Sequence, residues 1–182
     1  MRQLIVLILL GFASTAILAN GVSCVVTTKR VGEISIGDSV DKVLYTYGSG
    51  YQIIQKQPPG SVHQVQITRA HEATPFLLLY VDKNTKVLII DVFGVCRTKE
   101  GVGVGSTLEN AVRKYGKPII GPSDMGYFVG FRKAQGITFL LDDDSLPKTL
   151  RGIPDDTITR KQEAQILAIK KARIKMVRVT GE

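Results

Sequence analysis

The chain has 182 residues, a length for one domain or two small ones, and its 44% hydrophobic and 22% charged residues are those of a globular protein rather than a disordered one. A net charge of +8 and a pI near 9.6 favour acidic partners such as nucleic acid, anionic lipid headgroups or acidic polymers, against the plainer reading of a solvated basic surface. The two cysteines, Cys24 and Cys96, and the two histidines, His63 and His71, show no metal-ligand spacing, so no cofactor or metal is expected.

Residues 1–19 read as a signal peptide. Arg2 supplies the positive start, Ile5–Phe12 is an apolar run too short to span a bilayer comfortably, and small residues lead to Ala19. Two alternatives are an uncleaved anchor helix and lipidation at Cys24. Polar Asn20 and Gly21 oppose the first, and Gly21-Val22-Ser23 lacks the Leu usual three residues before a lipidated Cys. Export to the periplasm or beyond leaves no nucleic acid as an expected partner. It also makes Cys24 and Cys96 candidates for a disulfide, worth about 2–4 kcal/mol for a long closed loop. The other reading is two separate thiols, or a lipidated Cys24 with Cys96 buried.

Residues 20–32 form an N-terminal leader, with Val25 and Val26 able to begin a strand. Asp38 is expected to cap a first helix over residues 39–47, with Asp41 favourably placed in its first turn. Strands are expected at Tyr51–Gln57, Ser61–Arg69, Phe76–Val81 and Lys86–Val95, with turns at Pro58-Pro59-Gly60 and Asp82–Thr85. Short turns between successive strands imply an antiparallel sheet.

A second helix is expected within Val102–Pro118. Ser106 and Glu109 have capping-box spacing, Leu108, Ala111, Val112 and Tyr115 line one face, and Gly116 with Pro118 ends it. Gly37, Val40, Leu44, Tyr47 and Gly48 match Gly105, Leu108, Val112, Tyr115 and Gly116 at a constant offset of 68 residues. Two copies of one helix imply two copies of one unit, residues 33–98 and 101–180. Strands at Gly126–Lys133 and Gly136–Leu141 follow, then a polar loop over Asp142–Asp156. Thr159 and Gln162 announce a third helix by a capping box, and Ala172–Val179 alternates as a closing strand with Arg173, Lys175 and Arg178 on one face. The fold class expected is α+β: two tandem helix-plus-antiparallel-sheet repeats, the second with an extra helix inserted before its last strand.

Two stretches carry chemical potential. The cations Lys170, Lys171, Arg173, Lys175 and Arg178 could meet phosphate or an anionic membrane surface, although an exposed sheet edge blunted by charge explains them equally. Asp142-Asp143-Asp144 suits a hard cation by residue type, but no calcium-loop pattern surrounds it. Neither histidine stands beside a nucleophile or paired carboxylate, and Val102-Gly103-Val104-Gly105 lacks the third glycine of a dinucleotide motif. Gly105 is expected to serve a tight turn into the helix.

The stretches Ile36-Gly37-Asp38 to Tyr47-Gly48 and Val104-Gly105-Ser106 to Tyr115-Gly116-Lys117-Pro118 resemble the repeat of the BamE/SmpA-like superfamily, which tandem beta-lactamase inhibitory proteins also use. The resemblance implies a helix packed on an antiparallel sheet, with two sheets side by side and a broad concave face for protein binding. It supplies no binding residues: this chain has two repeats and a poor lipidation motif, unlike the envelope-assembly members, and fewer cysteines than the inhibitors.

The function expected is therefore an exported envelope or periplasmic protein-binding module without catalytic activity, of the assembly-factor or inhibitor type. One alternative is an anion- or membrane-surface-binding protein using the basic C-terminal strand. Another is an enzyme with a site between the repeats.

Overall fold

The computed structural model describes residues 24–56, 62–151 and 159–181. The expected signal peptide, the Pro58-Pro59-Gly60 turn and the last third of the polar loop, residues 152–156, lie outside the described residues. In chain order, strands β1 (Val25–Val26), β2 (Arg30–Val31) and β3 (Ile34–Ser35) lead to helix α1 (Val40–Tyr47) and strands β4 (Tyr51–Lys56), β5 (His63–Arg69), β6 (Leu77–Val81) and β7 (Val87–Val92). Strand β8 (Arg97–Thr98) leads to α2 (Leu108–Tyr115), then β9 (Pro118–Ser123), β10 (Gly126–Phe131) and β11 (Ile137–Leu141). Helix α3 (Arg160–Ala168) precedes the last strand, β12 (Ile174–Val179). Mixed helix and antiparallel sheet place the chain in the α+β class.

Strands β4 to β7 and β9 to β12 form one sheet in the order β4-β5-β6-β7-β12-β11-β10-β9, antiparallel throughout. Its centre is the β7–β12 pairing, where Ile90, Asp91 and Val92 stand opposite Val179, Arg178 and Val177. The resemblance implied two sheets side by side; here the strands continue across that seam. A small sheet, β3-β2-β1-β8, ties the N-terminal strand to the segment before α2.

Successive strand residues point to opposite faces, so each strand sends alternate side chains into the core. Val65, Ile67, Leu77, Leu79, Ile90, Val92, Val129, Phe139, Val177 and Val179 are all fully buried on one face. Helices cover that face: α1 buries Val40, Val43 and Tyr47, and α2 buries Leu108, Ala111 and Tyr115. Tyr47 meets Tyr51 edge to face with ring centroids 4.9 Å apart, and Tyr115 stacks on Phe139 at 6.0 Å. Burial of each large side chain contributes about 1.5–3 kcal/mol.

Three local readings change. The cap of α2 is Thr107, whose hydroxyl accepts from the Asn110 amide, and the cap of α1 is Ser39, which accepts from Lys42. Ser106 and Asp38 stand one residue earlier, where their side chains accept from the Gly103 and Ser35 amides instead. Strand β9 was not expected, because Pro118, Gly121 and Pro122 argue against a strand; as the outermost strand it needs few outward donors and tolerates proline. Strand β12 is central rather than an edge, so its charges do not blunt an edge.

Candidate functional site

The sheet register assigns a row of residues to the face opposite the helices. Ile54, Gln66, Leu78, Asp91, Arg178, Thr138, Gly130 and Ile119 are successive Cα partners from β4 across to β9. Their neighbours in each strand, including Ile53, Ile67, Leu77, Val92, Val177, Phe139, Val129 and Ile120, face the core. Most of the row is partly exposed, as are Tyr80, Ile89 and Phe128 beside it, and Ile119 is 58% exposed. Helices α1 and α2 pack on the opposite face. An antiparallel sheet with one wet face normally turns polar residues outward, so partly exposed Ile, Leu, Tyr and Phe here mark a surface suited to contact.

At its centre is a buried ion pair. Asp91 is 0% exposed, and Arg178 Nε and Nη2 each donate to one of its carboxylate oxygens at 2.7 Å. The guanidinium lies 5.1 Å from the Phe128 ring centroid and 5.6 Å from that of Tyr80, with Met125 Sδ 3.8 Å from Nη2. The hydrogen bonds that Arg178 donates to Asp91 raise its pKa further and keep it charged. Burial, and then the Asp91 charge, push the Tyr80 phenol up, so it remains a neutral donor at the edge of this cluster. The paired charges satisfy each other, leaving aromatic and aliphatic side chains to meet a partner.

Of the five cations expected to bind an anion, Lys170, Lys175 and Arg178 stand beside acids. Arg178 is committed to Asp91, Lys175 lies 3.9 Å from Asp143, and Lys170 lies 3.8 Å from Glu109. Arg173 precedes β12, and a register shift beside Leu140 and Leu141 leaves Lys175 without a Cα partner. Lys171 and Arg173 are exposed. Cys24 and Cys96 are joined in a disulfide with Cα atoms 4.7 Å apart, which fastens the start of the small sheet to the segment before β8.

In the Asp142–Asp144 turn, Asp142 Oδ1 accepts from the Asp144 amide, Asp144 lies 3.7 Å from Arg151 and Asp143 faces Lys175. Among the described residues no group of three or more His, Cys, Asp or Glu is disposed to hold a metal. The Gly103 and Gly105 pair serves the backbone. A Cβ on Gly103 would lie 2.3 Å from the Cys96 carbonyl oxygen, and Gly105 has φ +83°, which suits the turn into α2.

Sequence reading missed the Asp91–Arg178 centre. The signal was present in Asp91, a carboxylate interrupting the apolar run of β7, because an acid buried in a strand needs a cation. Its partner was hidden 87 residues away.

No known protein family matches this sequence, and no curated protein does. Among solved structures, the chain is similar to the uncharacterized protein yfeY from Escherichia coli at a TM-score of 0.57 and 13% identity, over 86% of this chain and 99% of that one. That likeness concerns the fold alone.

Proposed function

We propose that this chain is an exported protein-binding module of the cell envelope or periplasm, without catalytic activity, which docks a protein partner on the face of its eight-stranded sheet opposite α1 and α2. The observation that carries the reading is the set of partly exposed apolar and aromatic side chains, Ile54, Leu78, Tyr80, Ile89 and Phe128, around the self-satisfied Asp91–Arg178 pair. Aromatic residues with few unpaired charges are the composition of an interface centre. Export is supported by the signal-like residues 1–19 and by a disulfide, which persists in oxidising compartments.

The tandem-repeat reading is part of this proposal. Its support is local geometry shared at the 68-residue offset. Asp38 accepts from the Ser35 amide as Ser106 does from Gly103, Ser39 caps as Thr107 does, and Gly37 and Gly105 have φ +88° and +83°. Each helix is followed by four strands that meet at β7 and β12, with α3 between the last two.

The test is capture from envelope extract with the purified chain at low and high salt. One partner should be retained at high salt and lost with Leu78→Asp or Tyr80→Ala, but not with Lys83→Ala on the exposed turn after β6. Capture that disappears at high salt, and is untouched by the face variants, would turn the reading to an anion-binding surface.

A further inference from the structure

Beyond the central face, β9, β10 and β11 carry two glycines that the fold does not explain. Gly121 and Gly130 lie inside strands, where glycine weakens a sheet and often marks the close approach of a ligand or another backbone. Neither has a positive φ. A Cβ on Gly121 would meet nothing within 4 Å, and one on Gly130 would make only ordinary contacts with Thr138 at 3.8 Å and the Ile119 carbonyl oxygen at 4.0 Å. Conformation and internal packing therefore leave both positions open to larger residues.

Both glycines face away from the helices, and they floor a groove of about 390 Å³ walled by Ile119, Phe128 and Thr138. The groove runs along β10 from Phe128 to Arg132, roughly 13 Å at the rise of a strand. That volume falls in the range of small-molecule sites. Its Phe128 wall is itself backed by the Arg178 guanidinium. At the far end Arg132 lines both this groove and a neighbouring cleft of about 560 Å³ that also holds Lys117 and Glu163. Arg132 and Lys117 are exposed, and among the described residues neither is in an ion pair with Glu163 or any other acid.

We infer that this groove binds a single-chain anionic amphiphile of the long-chain fatty acid type. Its hydrocarbon chain lies over Gly121 and Gly130, and its carboxylate meets Arg132. An extended methylene chain needs a smooth, apolar, narrow floor, which glycine provides and any Cβ would interrupt. A carboxylate at one end needs an unpaired cation at the mouth, and guanidinium matches carboxylate geometry.

The test is direct binding of a fluorescent polyene fatty acid to the purified chain, with its methyl ester and anionic phospholipid vesicles as comparisons. The acid should bind saturably, be displaced by an unlabelled long-chain acid, and outcompete the ester by about tenfold through the charge-assisted contact. Arg132→Gln should remove that preference and leave the ester unaffected. Gly130→Val should weaken both ligands by at least about tenfold without lowering the melting temperature, because a β-branched residue suits a strand and a Cβ there makes only ordinary contacts. Gly121→Ala supplies the same reading should Gly130→Val fail to fold. Absence of saturable acid binding overturns the inference. So does acid binding that persists in a folded Gly130→Val variant, or binding of vesicles alone that ignores both glycine variants. Phe128 borders both surfaces, but the capture test reads Leu78 and Tyr80 across the seam on β6, so failure of one reading is distinguishable from failure of the other.

Discussion

The guanidinium of Arg178 grips both carboxylate oxygens of Asp91 at 2.7 Å across the β7–β12 seam. The two strands come from different halves of the chain, so this one contact fixes the register in which those halves meet. A single-residue slip would move Asp91 opposite a core valine and turn every side chain of β12 to the wrong face.

Removing one member of this pair strands the other. Asp91→Ala should destabilise the fold by about 3–5 kcal/mol, because an unpaired guanidinium then remains half-buried. Replacing both, as Asp91→Leu with Arg178→Met, should recover most of that loss. Urea midpoints of the three proteins check this, and a loss below about 1 kcal/mol for Asp91→Ala would mean that water reaches Arg178 freely.

The disulfide closes a separation of 72 residues. Cys24→Ser with Cys96→Ser should cost about 2–4 kcal/mol, and protection of the β1 and β8 amides should fall first, since those strands are only two residues each. Hydrogen exchange with and without reductant reports both effects. Equal loss of protection across the large sheet would contradict the local role.

The two good capping residues before α2 should separate by experiment. Thr107→Ala should cost about 1 kcal/mol and expose the Asn110 amide to exchange. Ser106→Ala should leave that amide protected. It should cost about 1–3 kcal/mol through the Gly103 amide and Arg97, which both donate to the Ser106 hydroxyl at 3.0 Å. Amide exchange of residues 103 and 110 distinguishes them.

Alkaline stability should be set by Tyr47 and Tyr115, both pushed up to about 12, chiefly by burial. Above pH 10 the unfolded chain releases these protons while the folded chain keeps them. The folded state then holds more protons than the unfolded one, and stability falls as pH rises from about 10 to 12. Tyrosinate absorbance should show delayed ionisation, and Tyr47→Phe with Tyr115→Phe should flatten the loss. On the acid side, the hydrogen bond from Tyr115 holds Glu100 below its ordinary 4.5, so its contribution is present above that pH and disappears as pH falls through the lower folded value. Glu100→Gln should remove this dependence.

What the sequence determined alone were the features made by neighbours a few residues apart. Helix α3 begins with the Thr159–Gln162 capping box, the turn after β6 is closed by Asp82 accepting from Asn84 and Lys86, and Gly116 takes φ +87° at the end of α2. Such contacts need no knowledge of the rest of the chain. Even there, the local pattern points to Ser106 as the cap of α2 where the structure uses Thr107, because the Ser106 hydroxyl accepts from the Gly103 amide and from distant Arg97. Tertiary structure alone decided that Pro118–Ser123 is a strand, that β12 is central and that Asp91 answers Arg178. Each depends on which strand lies alongside, and strand pairing is set by long-range register and burial rather than by composition. The same holds for the glycine-floored groove, whose Gly121 looks like a strand breaker until β9 is laid beside β10.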